Sequence, residues 1–220
     1  MSGATEPLAK GQQLFLQRLL ASHVFDDDQA LAVFKELKPD MPCENLNDCL
    51  SQINTQLTKG FGLEVATVSF KEQNSNVFKQ YHAIINTQQD KVAKDAFVAH
   101  SFDLNDRAFL RLVYEHLASE GNSLRSNLIN LRNELKDNIS LTMARAEHVI
   151  ETLLEEKWLV VVDGNDDDNE GGGTQSSSRR RESVHATIGL GPRSFLELSH
   201  YLQDLGYPEE DLPQFLFHRE

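Results

Sequence analysis

The histidines and cysteines are the side chains with the most distinctive chemistry, and their spacing predicts no catalytic or metal site. The 220-residue chain has eight histidines and two cysteines. No histidine pair has HExxH spacing, and no serine or cysteine lies in a recognisable nucleophile motif. A thiolate zinc site takes about four ligands in close pairs. Cys43 and Cys49 have the wrong spacing for one such pair, and the sequence has no second pair. We therefore expect two reduced cysteines on or beside a helix, no catalytic residue and no metal ligand.

Two further motifs could bind ions, but helix ends explain them better. GLGPRS, at residues 189–194, lies between a predicted strand and a predicted helix, where a phosphate-binding loop would lie. A dinucleotide loop also needs a third glycine and a parallel β-α-β unit, so we expect a tight turn that begins the last helix. Asp26–Asp28 precedes the helical pattern DQALAVFKEL. Acidic residues there satisfy free N–H groups and oppose the helix dipole, which favours a cap over a metal site.

The charge of the chain limits how it could meet nucleic acid. A net charge of −13 argues against binding by the whole surface but leaves a local basic patch open. The candidate patch for phosphate or DNA contact is the run Arg179, Arg180 and Arg181. Ser183 follows in RRRES, so it is a candidate site for a basophilic kinase. Phosphate beside these arginines would order the surrounding loop.

No segment of the sequence predicts a membrane-spanning helix or a secretory signal. The longest apolar runs are about five residues, far short of a membrane-spanning helix. The N-terminal MSGATEPLAKGQQ lacks a charged region followed by an apolar one, so we expect no secretory signal and an intracellular protein.

Hydrophobic periodicity predicts the same unit twice, three helices followed by a β-hairpin. The first unit comprises helices at Gly11–Ser22, after Asp26 and at Leu46–Lys59, then strands Leu63–Phe70 and Val77–Ile85. The second comprises helices at Asp103–Ser119, Ser123–Leu135 and Leu141–Lys157, strands from Trp158 and at Val184–Leu190, and a last helix from Pro192 to Gly206. This order is that of the winged helix. We predict a mainly α fold with small β-hairpins (α+β), with tandem winged-helix domains at residues 1–95 and 96–207.

The second hairpin carries a long insert at its tip. Residues 165–182 are acidic, then glycine, serine and arginine, and this composition cannot bury a core. Since loop closure entropy grows only slowly with length, we predict a tolerated, disordered insert. Every second residue of the flanking strands is apolar, and we expect these residues to point to the same face of the hairpin. They are Trp158, Val160, Val162, Val184, Ala186 and Ile188.

The third helix of each predicted unit is a poor reader of DNA. Leu46–Lys59 is nearly neutral and Leu141–Lys157 is net acidic, whereas a groove-reading helix needs cations near phosphates. Protein binding is the better interpretation. The predicted partner-binding residues form a wide apolar face on the first helix, Leu14, Phe15, Leu16, Leu19 and Leu20. The alternative is that this helix is simply buried in the middle of a small domain.

Three stretches of the sequence form a recognisable pattern: FLQRLLASHVFDDDQALAVFKEL, LNDCLSQINTQL, and ARAEHVIETLLEEKWLV followed by GPRSFLELSHYL. They resemble the non-SMC element one family, a subunit of the structural-maintenance-of-chromosomes five–six complex. The resemblance spans about residues 12–207. It implies two winged helices followed by a zinc-binding variant RING domain. It also implies a MAGE-like partner, a kleisin partner, DNA contact through the complex, and a nuclear, chromatin-associated role in DNA repair and recombination.

The sequence departs from the family pattern at its C-terminus. It ends at Glu220 without RING cysteines, so we interpret residues 208–220 as a linker toward an absent RING domain. The chain would then be truncated, or a form that lacks the RING. The ubiquitin-ligase activity that the resemblance implies has no residue here, and we expect no cofactor. The leading hypothesis is a scaffold that binds the MAGE-like subunit, and the alternative is a direct double-stranded DNA-binding protein.

Overall fold

The computed structural model describes residues 7–71, 77–87, 102–136, 139–163, 186–209 and 212–216. It divides into two compact units. Unit 1 comprises Met1–Glu72, Val77–Ala93 and Pro213–Glu220, and unit 2 comprises Gln73–Asn76 and Lys94–Leu212. The insert predicted at residues 165–182 lies outside the described residues.

Unit 1 places its helices against a small antiparallel sheet. Its elements are α1 (Lys10–Ser22), β1 (Val24–Asp26), α2 (Asp27–Leu37), a 3-10 turn (Lys38–Asp40), α3 (Leu46–Phe61), β2 (Leu63–Lys71) and β3 (Phe78–Asn86). β2 and β3 form a regular hairpin whose register runs from Leu63 opposite Asn86 to Lys71 opposite Phe78. β1 pairs with the other edge of β3.

Local sequence signals fix where the helices of unit 1 begin and end. Asp26 caps α2, because its carboxylate accepts a 2.8 Å hydrogen bond from the Gln29 amide. The Gln29 side chain accepts in return from the Asp26 amide at 3.1 Å. This reciprocal pair confirms the prediction that the acidic run is a helix cap. Gly62 ends α3 in the left-handed conformation that favours glycine.

The core of unit 1 lies between the helices and the hairpin. Its fully buried side chains come from α1, α2 and α3 and include Phe15, Leu19, Ala30, Cys49, Leu50 and Ile53. α1 approaches the 3-10 turn so closely that a Cβ on Gly11 would lie 2.8 Å from the Asp40 carbonyl oxygen. Glycine is therefore required at this crossing.

Unit 2 repeats the order of elements around a three-stranded sheet. Its elements are α4 (Leu104–Glu120), β4 (Asn122–Leu124), α5 (Arg125–Asn130), a 3-10 helix (Leu131–Glu134), α6 (Met143–Glu155), β5 (Leu159–Asp163), β6 (Thr187–Leu190) and α7 (Pro192–Asp204). The antiparallel sheet has the order β4-β6-β5. In both units a short strand, two further helical segments and a hairpin follow the first helix, which confirms the winged-helix prediction and the α+β class.

Two local predictions in unit 2 were wrong. The helix expected from Ser123 begins at Arg125, because Ser123 and its neighbours pair with β6 as a strand. Of the hairpin residues expected to share one face, Val184 lies outside the described residues, and the others do not all point to the same side. Ile188 lies opposite Val161, and Gly189 lies opposite Val160. A register irregularity between Val161 and Asp163 changes the alternation, which is the effect of a β-bulge.

The segment that we interpreted as a linker contributes to unit 1. Within residues 208–220, β7 (Gln214–Leu216) pairs antiparallel with β2, opposite residues 67–69. Unit 1 therefore has a four-stranded sheet of order β1-β3-β2-β7. None of the helices within the described ranges is long and apolar enough to cross a membrane.

Candidate interaction surfaces

The apolar face predicted on α1 is divided between the core and the surface. Phe15 and Leu19 are fully buried inside unit 1, so neither side chain is accessible to a partner. This corrects the prediction for these two residues, and the alternative of a buried helix holds for them. Leu14 and Leu16 are partly buried against the same core. Leu20 is 53% exposed, which leaves it as the most accessible member of the predicted face.

A buried glutamine explains why α1 lies so deep in unit 1. The Gln12 side chain is almost fully buried. Its Nε2 donates a 2.8 Å hydrogen bond to the side-chain oxygen Oε1 of Gln52 on α3. The same nitrogen lies 3.4 Å from the Cys43 sulfur. The Gln12 carbonyl oxygen accepts from the Ala9 amide at 2.9 Å. Because a buried amide must find partners, these contacts fix the position of α1 relative to α3.

The two cysteines beside Gln12 have the character of core residues. Both are free and buried. Burial, together with the neighbouring Cys43, raises the pKa of the Cys49 thiol far above its ordinary value. A thiol of raised pKa is a weak nucleophile and a weak metal ligand. Within the described part of the chain, no group of three or more His, Cys, Asp or Glu side chains could hold a metal ion.

Two amides of α3 that could read bases, Gln52 and Asn54, make contacts inside unit 1. Asn54 donates a 2.9 Å hydrogen bond to the Val65 carbonyl and accepts a 2.7 Å bond from the Val65 amide. Gln52 accepts from Gln12, as described above. Base recognition in the major groove needs side-chain amides that are free to pair with a base edge. These two residues instead join α3 to β2 and to α1.

α6, the corresponding helix of unit 2, has its arginine engaged by a carboxylate of α4. Arg145 donates to both oxygens of the fully buried Asp106, from Nε at 3.0 Å and from Nη2 at 2.5 Å. Burial acts to raise the pKa of Asp106, but hydrogen bonds from Arg145 and the Asp103 amide outweigh it and lower this pKa. Asp103 and Asp106 also form a capping box at the start of α4. The remaining charges of α6 are acidic, with Glu151 and Glu155 exposed.

The turn at GLGPRS holds a buried charged cluster that the sequence analysis missed. The turn itself is confirmed, because Gly191 precedes α7 and Pro192 occupies its first position. A Cβ on Gly191 would collide with the Lys157 carbonyl oxygen. Arg193 lies 4.0 Å above the Trp158 ring and donates to Glu156 at 3.1 Å and to Glu197 at 2.6 Å.

Neighbouring polar groups complete this cluster. Ser194 is fully buried and donates a 2.5 Å hydrogen bond to the Trp158 carbonyl. Its hydroxyl also lies 3.0 Å from the hydroxyl of Tyr114 on α4. Burial raises the pKa of Glu197, against the opposing effect of Arg193. The signals in the sequence were the Arg193–Glu197 spacing of four and the glutamates before Trp158.

Ion pairs occupy most of the arginines that the structure describes. At least five of the seven form pairs with carboxylates, namely Arg18–Glu36, Arg111–Glu115, Arg125–Glu151, Arg145–Asp106 and Arg193 with Glu156 and Glu197. A phosphate backbone would have to compete with these carboxylates. The candidate phosphate contacts Arg179, Arg180 and Arg181 and the candidate phosphosite Ser183 lie outside the described residues.

Comparisons with known proteins place the chain in a family. Residues 12–136, more than half of the sequence, match the family model described as "Nse1 non-SMC component of SMC5-6 complex". The chain belongs to this Nse1 family. The resemblance noted from the sequence motifs is thereby confirmed. A comparison with curated proteins found no match.

A solved structure extends the likeness beyond the matched residues. One chain of a structure described as "Nse1-Nse3-Nse4 complex" superposes with a TM-score of 0.66 and 17% sequence identity. The alignment covers 90% of this chain and 75% of that chain. At this identity the likeness shows the fold. Because the alignment covers 90% of this chain, the likeness includes most of unit 2. The helix α6, the hairpin and α7 of that unit lie after residue 136, where the family match ends.

Proposed function

We propose that this chain is a scaffold subunit of an SMC5-6-type complex and pairs there with a MAGE-like Nse3 subunit and a kleisin Nse4 subunit. The family match over residues 12–136 carries the proposal, because that family is a non-SMC component of the complex. The solved structure of the same fold supports it, since its description names Nse1 together with Nse3 and Nse4. The third helices support it too, because Gln52, Asn54 and Arg145, which could otherwise contact DNA, are engaged inside their units.

The exposed remainder of the α1 face is the first candidate contact with the MAGE-like subunit. Leu20 is 53% exposed, and Leu14 and Leu16 are partly buried on the same helix. Fully burying one leucine contributes about 1.5–3 kcal/mol before the costs of association. Phe15 and Leu19 would support this contact only indirectly, by holding α1 in place.

Leu20→Asp tests this contact without disturbing the core. We expect the variant to fold and to recover much less of the MAGE-like subunit than the wild type does in co-purification. Ala32→Asp is the matched control, because it adds the same charge at an exposed position of α2 in the same unit. Equal recovery of the partner by both variants would remove the α1 face from the interface. Failure of the wild type to bind either named subunit would overturn the scaffold function itself.

We further infer that the chain reaches DNA through the complex, in a nuclear, chromatin-associated role in repair and recombination. The net charge of −13 and the paired arginines favour this over direct binding. The alternative, direct double-stranded DNA binding, would depend on Arg179–Arg181. A gel-shift assay at low salt decides between them. A shift that disappears when the three arginines become alanine would favour direct binding, and no shift with the isolated chain supports binding through the complex.

Zinc and ubiquitin-ligase chemistry belong, in our proposal, to a RING domain outside these 220 residues. The described residues bring together no metal-binding cluster, and both cysteines are buried among core side chains. Metal analysis of the purified chain is the test. We expect no stoichiometric zinc, and one bound zinc per chain would contradict the proposal.

A further inference from the structure

An open groove runs between two helical segments of unit 2. Its volume is about 490 Å³, in the range of small binding sites. The α4 wall consists of Leu112, Glu115, His116 and Ser119. The wall from α5 and the following 3-10 helix consists of Asn127, Asn130, Leu131 and Glu134. Both walls have spacing i, i+3, i+4 and i+7, so each is a helical stripe of about two turns. We call this surface the α4–α5 groove.

The chemistry of the groove favours a cation. The lining residues include no lysine or arginine, and each wall contributes one carboxylate, Glu115 and Glu134. Exposed Asn127 and Asn130 add side-chain carbonyl oxygens that can accept hydrogen bonds. Leu112, which is partly buried, and the small exposed part of Leu131 provide apolar surface for the methylene groups of a long side chain. Two carboxylates would repel a phosphate group, so nucleic acid does not fit this surface.

Glu134 is the less compensated of the two carboxylates. Glu115 accepts a 2.9 Å hydrogen bond from Arg111, whose side chain is 73% exposed. Within the described residues, no lysine or arginine forms an ion pair with Glu134. Glu134 is also the last residue of its 3-10 helix, where free carbonyl groups make the local potential negative. A cation at this end of the groove would relieve both unfavourable features.

We propose that the α4–α5 groove binds a lysine or arginine side chain of a protein partner. The inference rests on the scaffold function proposed above and deepens it by assigning a second contact surface, this one in unit 2. The ammonium or guanidinium group lies between Glu134 and Glu115, and the amides of Asn127 and Asn130 fix its orientation. The stem of the side chain packs on Leu131 and Leu112. Such a contact gives specificity and salt dependence to an interface.

Charge reversal at Glu134 tests the groove. The probe is the purified pair of MAGE-like and kleisin subunits, titrated against the chain. We expect Glu134→Lys to weaken binding by about tenfold or more and Glu134→Gln by less, because the first adds repulsion and the second removes only attraction. Glu155→Lys on α6 is the matched control, since it makes the same change at an exposed glutamate of the same unit. We expect its affinity to stay within about twofold of the wild type.

Salt dependence separates a direct contact from a structural effect. Affinity of the wild type should fall more steeply with ionic strength than affinity of Glu134→Gln, because only the wild type forms the charged contact. Binding of Glu134→Lys within about twofold of the wild type would overturn the groove proposal and leave the scaffold function standing. Absence of any binding by the wild type would instead refute the scaffold function on which the proposal depends.

Discussion

The two winged-helix units solve the same packing problem with different chemistry. In unit 1, the first and third helices are joined by neutral amides, with Gln12 bonded to Gln52. In unit 2, the corresponding helices are joined by a charged pair, Asp106 with Arg145. Unit 2 also encloses Arg193, which lies between Glu156 and Glu197. Either a neutral or a charged contact can therefore join these two helices. Removing one partner of a buried charged pair destabilises a protein more than removing one partner of a neutral hydrogen bond, so the units should differ in their response to mutation and pH.

Removal of Arg193 should have the largest effect. We expect Arg193→Ala to destabilise unit 2 by about 3–5 kcal/mol, because it leaves the negative charges of Glu197 and Glu156 without a partner in a poorly hydrated site. Arg111→Ala is the matched control. It has the same spacing of four to its glutamate but is 73% exposed, against 10% for Arg193. We expect about 0.5 kcal/mol or less for the control.

Urea unfolding gives the total loss of stability for Arg193→Ala, and hydrogen exchange assigns it to a unit. Amides of α7 should lose protection in the Arg193 variant while amides of α3 keep theirs. A loss for Arg193→Ala no larger than that for Arg111→Ala would show that burial of this cluster contributes little.

The Asp106–Arg145 pair should make unit 2 sensitive to acid. The folded-state pKa of Asp106 is lowered, so its stabilising contribution is fully present above the ordinary aspartate pKa of about 4. It is lost as the pH falls through the lowered folded-state pKa. Glu197 acts oppositely, because burial raises its pKa and its cost grows as the pH rises above about 4.3.

Asp106→Asn isolates the contribution of this pair. We expect the variant to lose about 1–2 kcal/mol at neutral pH, a modest figure because Arg145 is 38% exposed and partly screened by water. As the pH falls below about 4, where the carboxylate of the unfolded wild type begins to bind protons, the free energy of unfolding should fall less in the variant than in the wild type. Parallel stability curves for the two proteins over that range would contradict the role assigned to the pair.

The amide contact of unit 1 should give the smallest effect. Gln12→Ala removes the bonds to Gln52 and to the Ala9 amide, and we expect a loss of about 1 kcal/mol. The loss should not depend on pH, because no partner titrates in the acidic range. Thermal unfolding at pH 7 and pH 4 measures this. A loss that grows at low pH would show that the neutral contact is coupled to a charged group.

The sequence predicted the fold better than it predicted the surface. Periodicity located the helices and both hairpins, and the Asp26 cap marked the start of α2, because these signals are local. The helix start predicted at Ser123 was wrong, since the pairing of Ser123 with β6 depends on residues more than sixty positions away. The bulge beside Val162 was likewise invisible to a rule of strict alternation.

Burial was the property that the sequence could not assign. Leu14, Phe15, Leu16, Leu19 and Leu20 form one apolar stretch in the sequence, but the core of unit 1 covers only part of it. Phe15 packs edge to face on Phe25 at 5.9 Å, whereas Leu20 remains half exposed. The α4–α5 groove was missed for a similar reason. Its two stripes are separate in sequence, and only the packing of unit 2 brings them together.

Light scattering during size-exclusion chromatography tests the central claim most directly. The chain is mixed with the MAGE-like subunit, with and without the kleisin subunit, at physiological salt. The scaffold account predicts a single species whose mass equals one copy of each protein added. Separate elution of this chain at its own mass, 24.9 kDa, in both mixtures would contradict the account.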